Sequence, residues 1–373
     1  MGASDGPQGR EALIRPRVLL VSPAFFGYER VIARTLVDLG FEVEYVDERA
    51  SNHWMARALY RTWPALLAPW TVRHFSRVAR RLRGRRLDVV LVIKGETVPE
   101  SFVRRISQEH PTARFVYYSF DALRKTDNFN RIRGYFHHAY SFDRSDVGRV
   151  SRLQYKPLFY GPAFVPGPSH DDRTTALAYV GSVNPSRYAI VSALAERVDG
   201  ASVFLYAPAQ RYLAVRRLID PKYRGVDPRR VDYRHLTLDD VARRFRDARV
   251  VLDMQKPGQS GLTMRTFEAL ASGAALVTTN ARIMEEDFYT PERIAVVEDG
   301  DIDGTVAAVR RLLDHPLDGG MPPSFDVYSV RSWVAGFLEL AGAPIETTES
   351  GLDATTGTDA RAGEVGRSGE DRR

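Results

Sequence analysis

Short, almost wholly apolar runs recur along the chain. Between them lie longer stretches whose apolar positions fall three and four apart. The short runs suit strands buried on both faces, and the three-and-four spacing suits helices with one apolar face. RVLLVSP (17–23) predicts a strand, AFFGYE a loop, and the pattern over 30–39 a helix that Gly40 stops. FEVEYVD (41–47) is the next strand. Strands follow at LDVVLVIKG (87–95), ARFVYYSFD (113–121) and HHAYSFD (137–143), with a helix over 98–111. The stretch 51–86 predicts two helices broken near Pro64 and Pro69, with Trp54, Trp63 and Trp70 covering the core.

The segment 155–173 is rich in Pro and Gly and predicts a linker. A second series then begins, with strands at 176–183, 201–208, 231–236, 249–255, 274–280 and 293–299. Its helices fall at 185–198, 209–219, 238–248, 262–272 and 303–314, and a last helix at 328–342. Alternating strands and helices argue for parallel α/β sheets. The expected organisation is a flexible arm (1–16), a Rossmann-like domain (17–165) and a second such domain (174–320) across a cleft. A C-terminal helix (325–343) packs back on the first domain, and a disordered tail (347–373) follows.

Composition narrows the class. The chain has 373 residues, too many for one ordinary core, and no cysteine, which excludes disulfides and zinc–thiolate sites. A cysteine-free chain suits a reducing cytoplasm. No apolar run is long enough to span a bilayer, and the first residues carry neither a signal-peptide core nor a complete myristoylation pattern. The expected location is cytoplasmic, or peripheral on the inner face of the membrane. Net charge is +6, and arginines crowd into 73–86. That basic segment is the candidate for peripheral membrane contact; nucleic acid is not an expected partner, because no reader motif accompanies it.

Chemistry is expected where strands end, since open α/β sheets bind ligands at their carboxyl edges. YVGS closes a strand with Gly181 and Ser182, and Arg187 lies just inside the next helix, where a diphosphate is favoured. The strand 249–255 ends in Asp253 and Gln255. GQSGLTMRTFEALASG (258–273) follows, with Ser260, Gly261, Leu262 and Thr263 as a phosphate-cradling turn. Arg265 and Glu268 ride on the helix behind it. A carboxylate there can accept both hydroxyls of a ribose; the alternative is an ordinary surface ion pair at i, i+3. In the first domain the loop PAFFGYE (23–29) is a candidate for contact with acceptor or phosphate, and Glu96 and Asp121 at strand ends are the candidate general bases. EDGDID (298–303) has acidic spacing, but Asp303 reads as a helix cap. No metal ion or other cofactor is expected.

The order YVGS, Arg187, LDMQ, GLTMRTFEALASG, LVTTN resembles the C-terminal signature of GT-B glycosyltransferases, in particular the bacterial group 1 and CgeB-like enzymes. The resemblance implies two Rossmann-like doubly wound domains facing a central cleft. It implies a nucleotide-diphosphate sugar donor in the C-terminal domain, with Glu268 on the ribose and Gly181, Ser182 and Arg187 near the diphosphate. It implies an acceptor (an envelope or surface glycan, lipid-linked or small-molecule) in the N-terminal one. The sequence departs from the Glu-x7-Glu pattern at Ser260, which stands where the first glutamate is expected. That leaves sugar and stereochemical outcome open, and keeps a non-catalytic nucleotide-sugar or glycan-binding protein as the alternative.

Overall fold

Strand β1 (Arg17–Ser22) shows why its sequence is an unbroken apolar run. Val18 and Leu20 enter one core, Leu19 and Val21 another on the opposite face. In the computed structural model, residues 15–51, 63–123, 127–255, 260–315 and 319–340 are described. The arm to residue 14, Trp54, Arg124, Lys125, the loop residues 256–259 and the tail lie outside them.

β1 sits in a six-stranded parallel sheet with β2 (Glu42–Asp47), β3 (Val89–Ile93), β4 (Arg114–Ser119), β5 (His138–Ser141) and β6 (Leu153–Tyr155), in the order β2-β1-β3-β4-β5-β6. The second sheet holds β7 (Thr175–Ser182), β8 (Ala201–Tyr206), β9 (Ala248–Asp253), β10 (Ala275–Thr278) and β11 (Ile294–Val296), in the order β11-β10-β9-β7-β8. Each is a doubly wound sheet whose order reverses beside its first strand. The crevices at β1/β3 and β7/β9 are therefore where a ligand is expected.

Helix α1 (Tyr28–Asp38) ends as its sequence predicts. Gly40 takes φ 90, and the Gly40 and Phe41 amides return to Val37 and Leu36. Helix α2 (Pro64–Leu82) departs from expectation, running on through Pro69 without a break. Pro64 stands at the first helical position, where proline is tolerated, whereas Pro69 lies inside the helix and takes away its bond to the Ala65 carbonyl. Trp63 and Trp70 do not cover the core; they are 65% and 68% exposed. α3 (Glu100–Glu109), α4 (Asp127–Ile132) and α5 (Arg144–Val147) complete this half.

The second half carries α6 (Pro185–Ala195), α7 (Gln210–Ile219), α8 (Leu238–Asp247), α9 (Met264–Ala271) and α10 (Ile302–Asp314). The expected strand 231–236 is reduced to one bridge, Tyr206 to Asp232, at the outer edge of β8. Its alternation is there, but only a single residue reaches the ladder. Asp301, not Asp303, caps α10 by accepting from the Gly304 amide; Asp303 instead pairs with Arg197.

One apolar cluster joins the halves. It runs from Ile32 and Leu36 of α1 to Phe245, Phe267 and Leu270, and takes in α11 (Val330–Leu340). Trp333 of α11 is buried against Tyr118 and Phe159 and donates to the Pro157 carbonyl at 3.0 Å, so the last helix rests on the first domain. Arg173, just before β7, spreads its guanidinium over the carbonyls of Pro168, Ala248 and Ser272, clamping the connecting segment to the second domain.

Candidate functional site

The carboxyl end of β9 organises the second domain's site. Asp253 is buried and accepts from Thr263 (2.7 Å), Thr266 (2.9 Å) and Arg265 (3.3 Å). The Thr263 hydroxyl, expected to reach a phosphate, is therefore spent on Asp253; what Thr263 leaves open is its place at the start of α9. Arg265 pairs with Asp253 and not with Glu268, so the surface-pair alternative fails. Burial opposes the Arg265 charge, but Asp253, and further Tyr179 and Glu268, outweigh it and hold its pKa above the usual value.

Glu268 is 2% exposed. Its carboxylate accepts the hydroxyl of Tyr28, from the N-terminal domain, at 2.5 Å. Burial pushes the Glu268 pKa up to about 7, against the bond from Tyr28 and the charge of Arg265. Tyr28 starts α1, behind a turn in which Phe26 and Gly27 take φ 51 and 88. That turn reaches across the cleft: Phe26 stacks on His235 at 6.1 Å between centroids. A left-handed Phe is strained, and such strain collects where a loop is held in a working position.

Gly181 and Ser182 are the last residues of β7 rather than a turn. Gly181 is small for a local reason: a Cβ would stand 2.5 Å from the Tyr179 hydroxyl. Asn184 caps α6, and Arg187 reaches back to the Met254 carbonyl at 3.1 Å, facing Tyr179 on the way. The Gln255 amide donates to Thr279 at 2.9 Å. Arg187, Arg265 and Glu268 thus converge on the β7/β9 crevice.

The turn 260–263 forms a seam between the domains. Asp143 takes the Ser260 amide at 3.1 Å and its hydroxyl as well, and Asn280 holds the Ser260 carbonyl at 3.1 Å. Burial would raise the Asp143 pKa, but its bonds from Ser260 and Ser145 win and lower it. Gly261 has no room for a side chain, since a Cβ would meet the Phe142 ring at 2.5 Å and its carbonyl at 2.7 Å. Leu262 is buried in the shared core. Ser260 therefore ties the seam through its amide and hydroxyl, Leu262 packs it, and Gly261 lets the backbone pass close to Phe142. Alongside, Glu286 accepts from Arg144 (3.0 Å) and Tyr155 (2.7 Å).

In the first domain, Lys94, directly after β3, takes φ 70 and meets both candidate bases, Asp121 at 2.8 Å and Glu96 at 3.4 Å. Burial works against the Lys94 charge; the two carboxylates more than offset it and raise its pKa. Asn128 is structural, donating to the carbonyls of Gly95 and Val98. Beneath lies Glu48, fully buried, neither carboxylate oxygen bonded to a described residue, its pKa pushed up to about 8 by burial and then by Glu96. Sequence reasoning singled out the loop 23–29 that carries Tyr28 but not its bond to Glu268, and it missed Asp143 and Glu48. Glu48 directly follows β2 and Asp143 caps α5 just past β5, but only the assembled fold shows what faces them.

A family model described as "Glycosyl transferase-like" matches residues 187–318, less than half of the chain. No curated protein matches it. In fold the chain is similar to Alr3699/HepE from Anabaena, solved with UDP-glucose (TM-score 0.55, 11% identity, covering 87% of this chain and 99% of that one). It is similar to an α,α-trehalose-phosphate synthase from Burkholderia xenovorans in complex with glucose-6-phosphate (TM-score 0.57, 15% identity, 88% and 100%). It is also similar to a UDP-GlcNAc 2-epimerase from Methanocaldococcus jannaschii (TM-score 0.51, 8% identity, 88% and 100%). Likeness at these identities is one of fold. The two Rossmann-like domains have the GT-B architecture, and the matched region is glycosyltransferase-like; the comparisons do not reach the CgeB-like grouping or its motif.

Proposed function

We propose that the protein transfers a sugar from a nucleoside diphosphate to an acceptor hydroxyl, without a metal ion. The observation that carries this reading is the convergence of Arg187, Arg265 and Glu268 on the switch-point crevice of the glycosyltransferase-like region. Glu268 accepts the two ribose hydroxyls in place of Tyr28. Arg265, Arg187 and the amino-terminal end of α9, which starts behind Thr263, face the diphosphate. The acceptor oxygen attacks the anomeric carbon as the carbon–oxygen bond to diphosphate breaks. The electron pair leaves on the diphosphate, where the two guanidinium groups stabilise it.

The acceptor proton goes to Asp121. Its carboxylate is 41% exposed, hence reachable, and Lys94 fixes its direction. Glu96, the other candidate, keeps Lys94 charged and in place. An envelope or surface glycan intermediate is the acceptor class that fits this reading. A thermal-shift panel of nucleoside diphosphates and their sugars tests it: the donor stabilises the wild type, and Glu268→Ala weakens binding by about 3 kcal/mol, roughly a hundredfold. Full donor affinity in that variant removes the assignment. Binding without any turnover favours the non-catalytic alternative, which Ser260 motivates.

A further inference from the structure

Helix α2 carries a surface that sugar transfer does not use. Trp63, Leu66, Trp70, Arg73, Arg77 and Arg80 follow at steps of three and four, so they share one side of the helix. All six are exposed, Leu66 at 66%. The stripe changes character along the axis. Its first turns are apolar, with Ala68, Pro69 and Val72 also exposed beside the tryptophans. Its later turns are cationic. From 63 to 86 there are seven arginines and no Asp or Glu. Arg81 and Arg85 lean on Glu44, while Arg73, Arg77 and Arg80 have no ion-pair partner among the described residues.

We propose that α2 docks the protein on an anionic bilayer, with its apolar end in the interface and its arginines on lipid phosphates. Exposed tryptophans beside aliphatic side chains suit the headgroup boundary, and arginines add about 1 kcal/mol each near an anionic surface. Single-stranded nucleic acid would attract the same arginines, but it needs aromatics interleaved with charge along a groove. Here the two are segregated. The segregation also sets the pose. From Trp63 to Arg73 the helix rises about 15 Å, so it enters obliquely, amino-terminal end deepest.

Topology gives the docking a use. α2 links the parallel strands β2 and β3, so it runs back against them, and its amino-terminal end lies at the carboxyl edge of the sheet. Lys94, Glu96 and Asp121 lie at that same edge. Docking therefore brings the acceptor side toward the bilayer; this last point rests on the transferase reading, whereas the docking itself does not.

The test is sedimentation of the full chain with phosphatidylcholine vesicles, with and without phosphatidylglycerol. Binding should require the anionic lipid and weaken with salt, and tryptophan emission should shift to the blue. Trp63→Ser with Trp70→Gln should abolish that shift and weaken binding at least about tenfold. Arg73→Gln, Arg77→Gln and Arg80→Gln together should weaken it about a hundredfold. All five positions are exposed, so melting temperature and donor binding should stay at wild-type values; donor binding reports separately on the transferase reading. The proposal is overturned if anionic vesicles do not bind, if the tryptophan variant binds as well as wild type, or if oligonucleotides bind and vesicles do not.

Discussion

Replacing Tyr28 with Phe should weaken the protein and tighten its hold on donor at the same time. The Tyr28 hydroxyl gives Glu268 a buried hydrogen bond of 2.5 Å. A bond of this kind to a charged group contributes about 1.5–3 kcal/mol. With Phe at 28 the carboxylate keeps its burial and loses this donor, so unfolding should cost about that much less. A ribose must displace the same hydroxyl to reach Glu268. In the variant nothing has to be displaced, and donor affinity should rise by roughly ten- to a hundredfold. The comparison is best made above pH 8. Glu268, with its pKa near 7, is ionised there and cannot soften the loss by taking a proton. Chemical denaturation and calorimetric titration of the donor give the two numbers. Lower stability without tighter donor binding would refute the idea that Tyr28 stands in the ribose position; unchanged stability would refute the bond.

Further outcomes follow from the same geometry. Because the folded pKa of Glu268 is raised to about 7, its stabilising contribution is full below the unfolded value of about 4.3 and is lost as pH rises toward 7; Glu268→Gln should flatten that part of the pH–stability curve. Glu48 behaves alike up to about pH 8, so Glu48→Gln should raise the melting temperature most in alkaline buffer. Gly261→Ala drives a methyl into Phe142 at the seam and should destabilise by about 1–3 kcal/mol, read by thermal melting. Arg173→Met removes the guanidinium bonds to the carbonyls of Pro168, Ala248 and Ser272, the last of which keeps the Gly167 amide, and should cost about 1–3 kcal/mol, read by denaturant titration.

Periodicity made most of the fold legible. Two series of apolar runs and helical stretches yield two doubly wound sheets, and the switch points then locate the crevices. It misled where a local rule met tertiary context. The helix continues through Pro69 although one bond is lost there, and the alternation in 231–236 finds no second partner beyond β8. In the site, Arg187, Arg265 and Glu268 were legible because a strand, a turn and a helix carry them in sequence order. Their partners were not. Tyr28 and Glu268 lie 240 residues apart, and Asp143 and Ser260 117 apart. No spacing rule spans the cleft between two domains. Glu48 looks like any polar residue after a strand until the sheet buries it.

Release of nucleoside diphosphate from its sugar tests the central claim most directly, measured across donor concentration for wild type, Glu268→Ala and Asp121→Asn. Wild type should turn over. Glu268→Ala should raise KM roughly a hundredfold with a smaller change in kcat, and Asp121→Asn should lower kcat by about 10²–10⁴ with KM little moved. Donor binding with no turnover in the wild type, or a Glu268→Ala enzyme indistinguishable from it, would contradict the account.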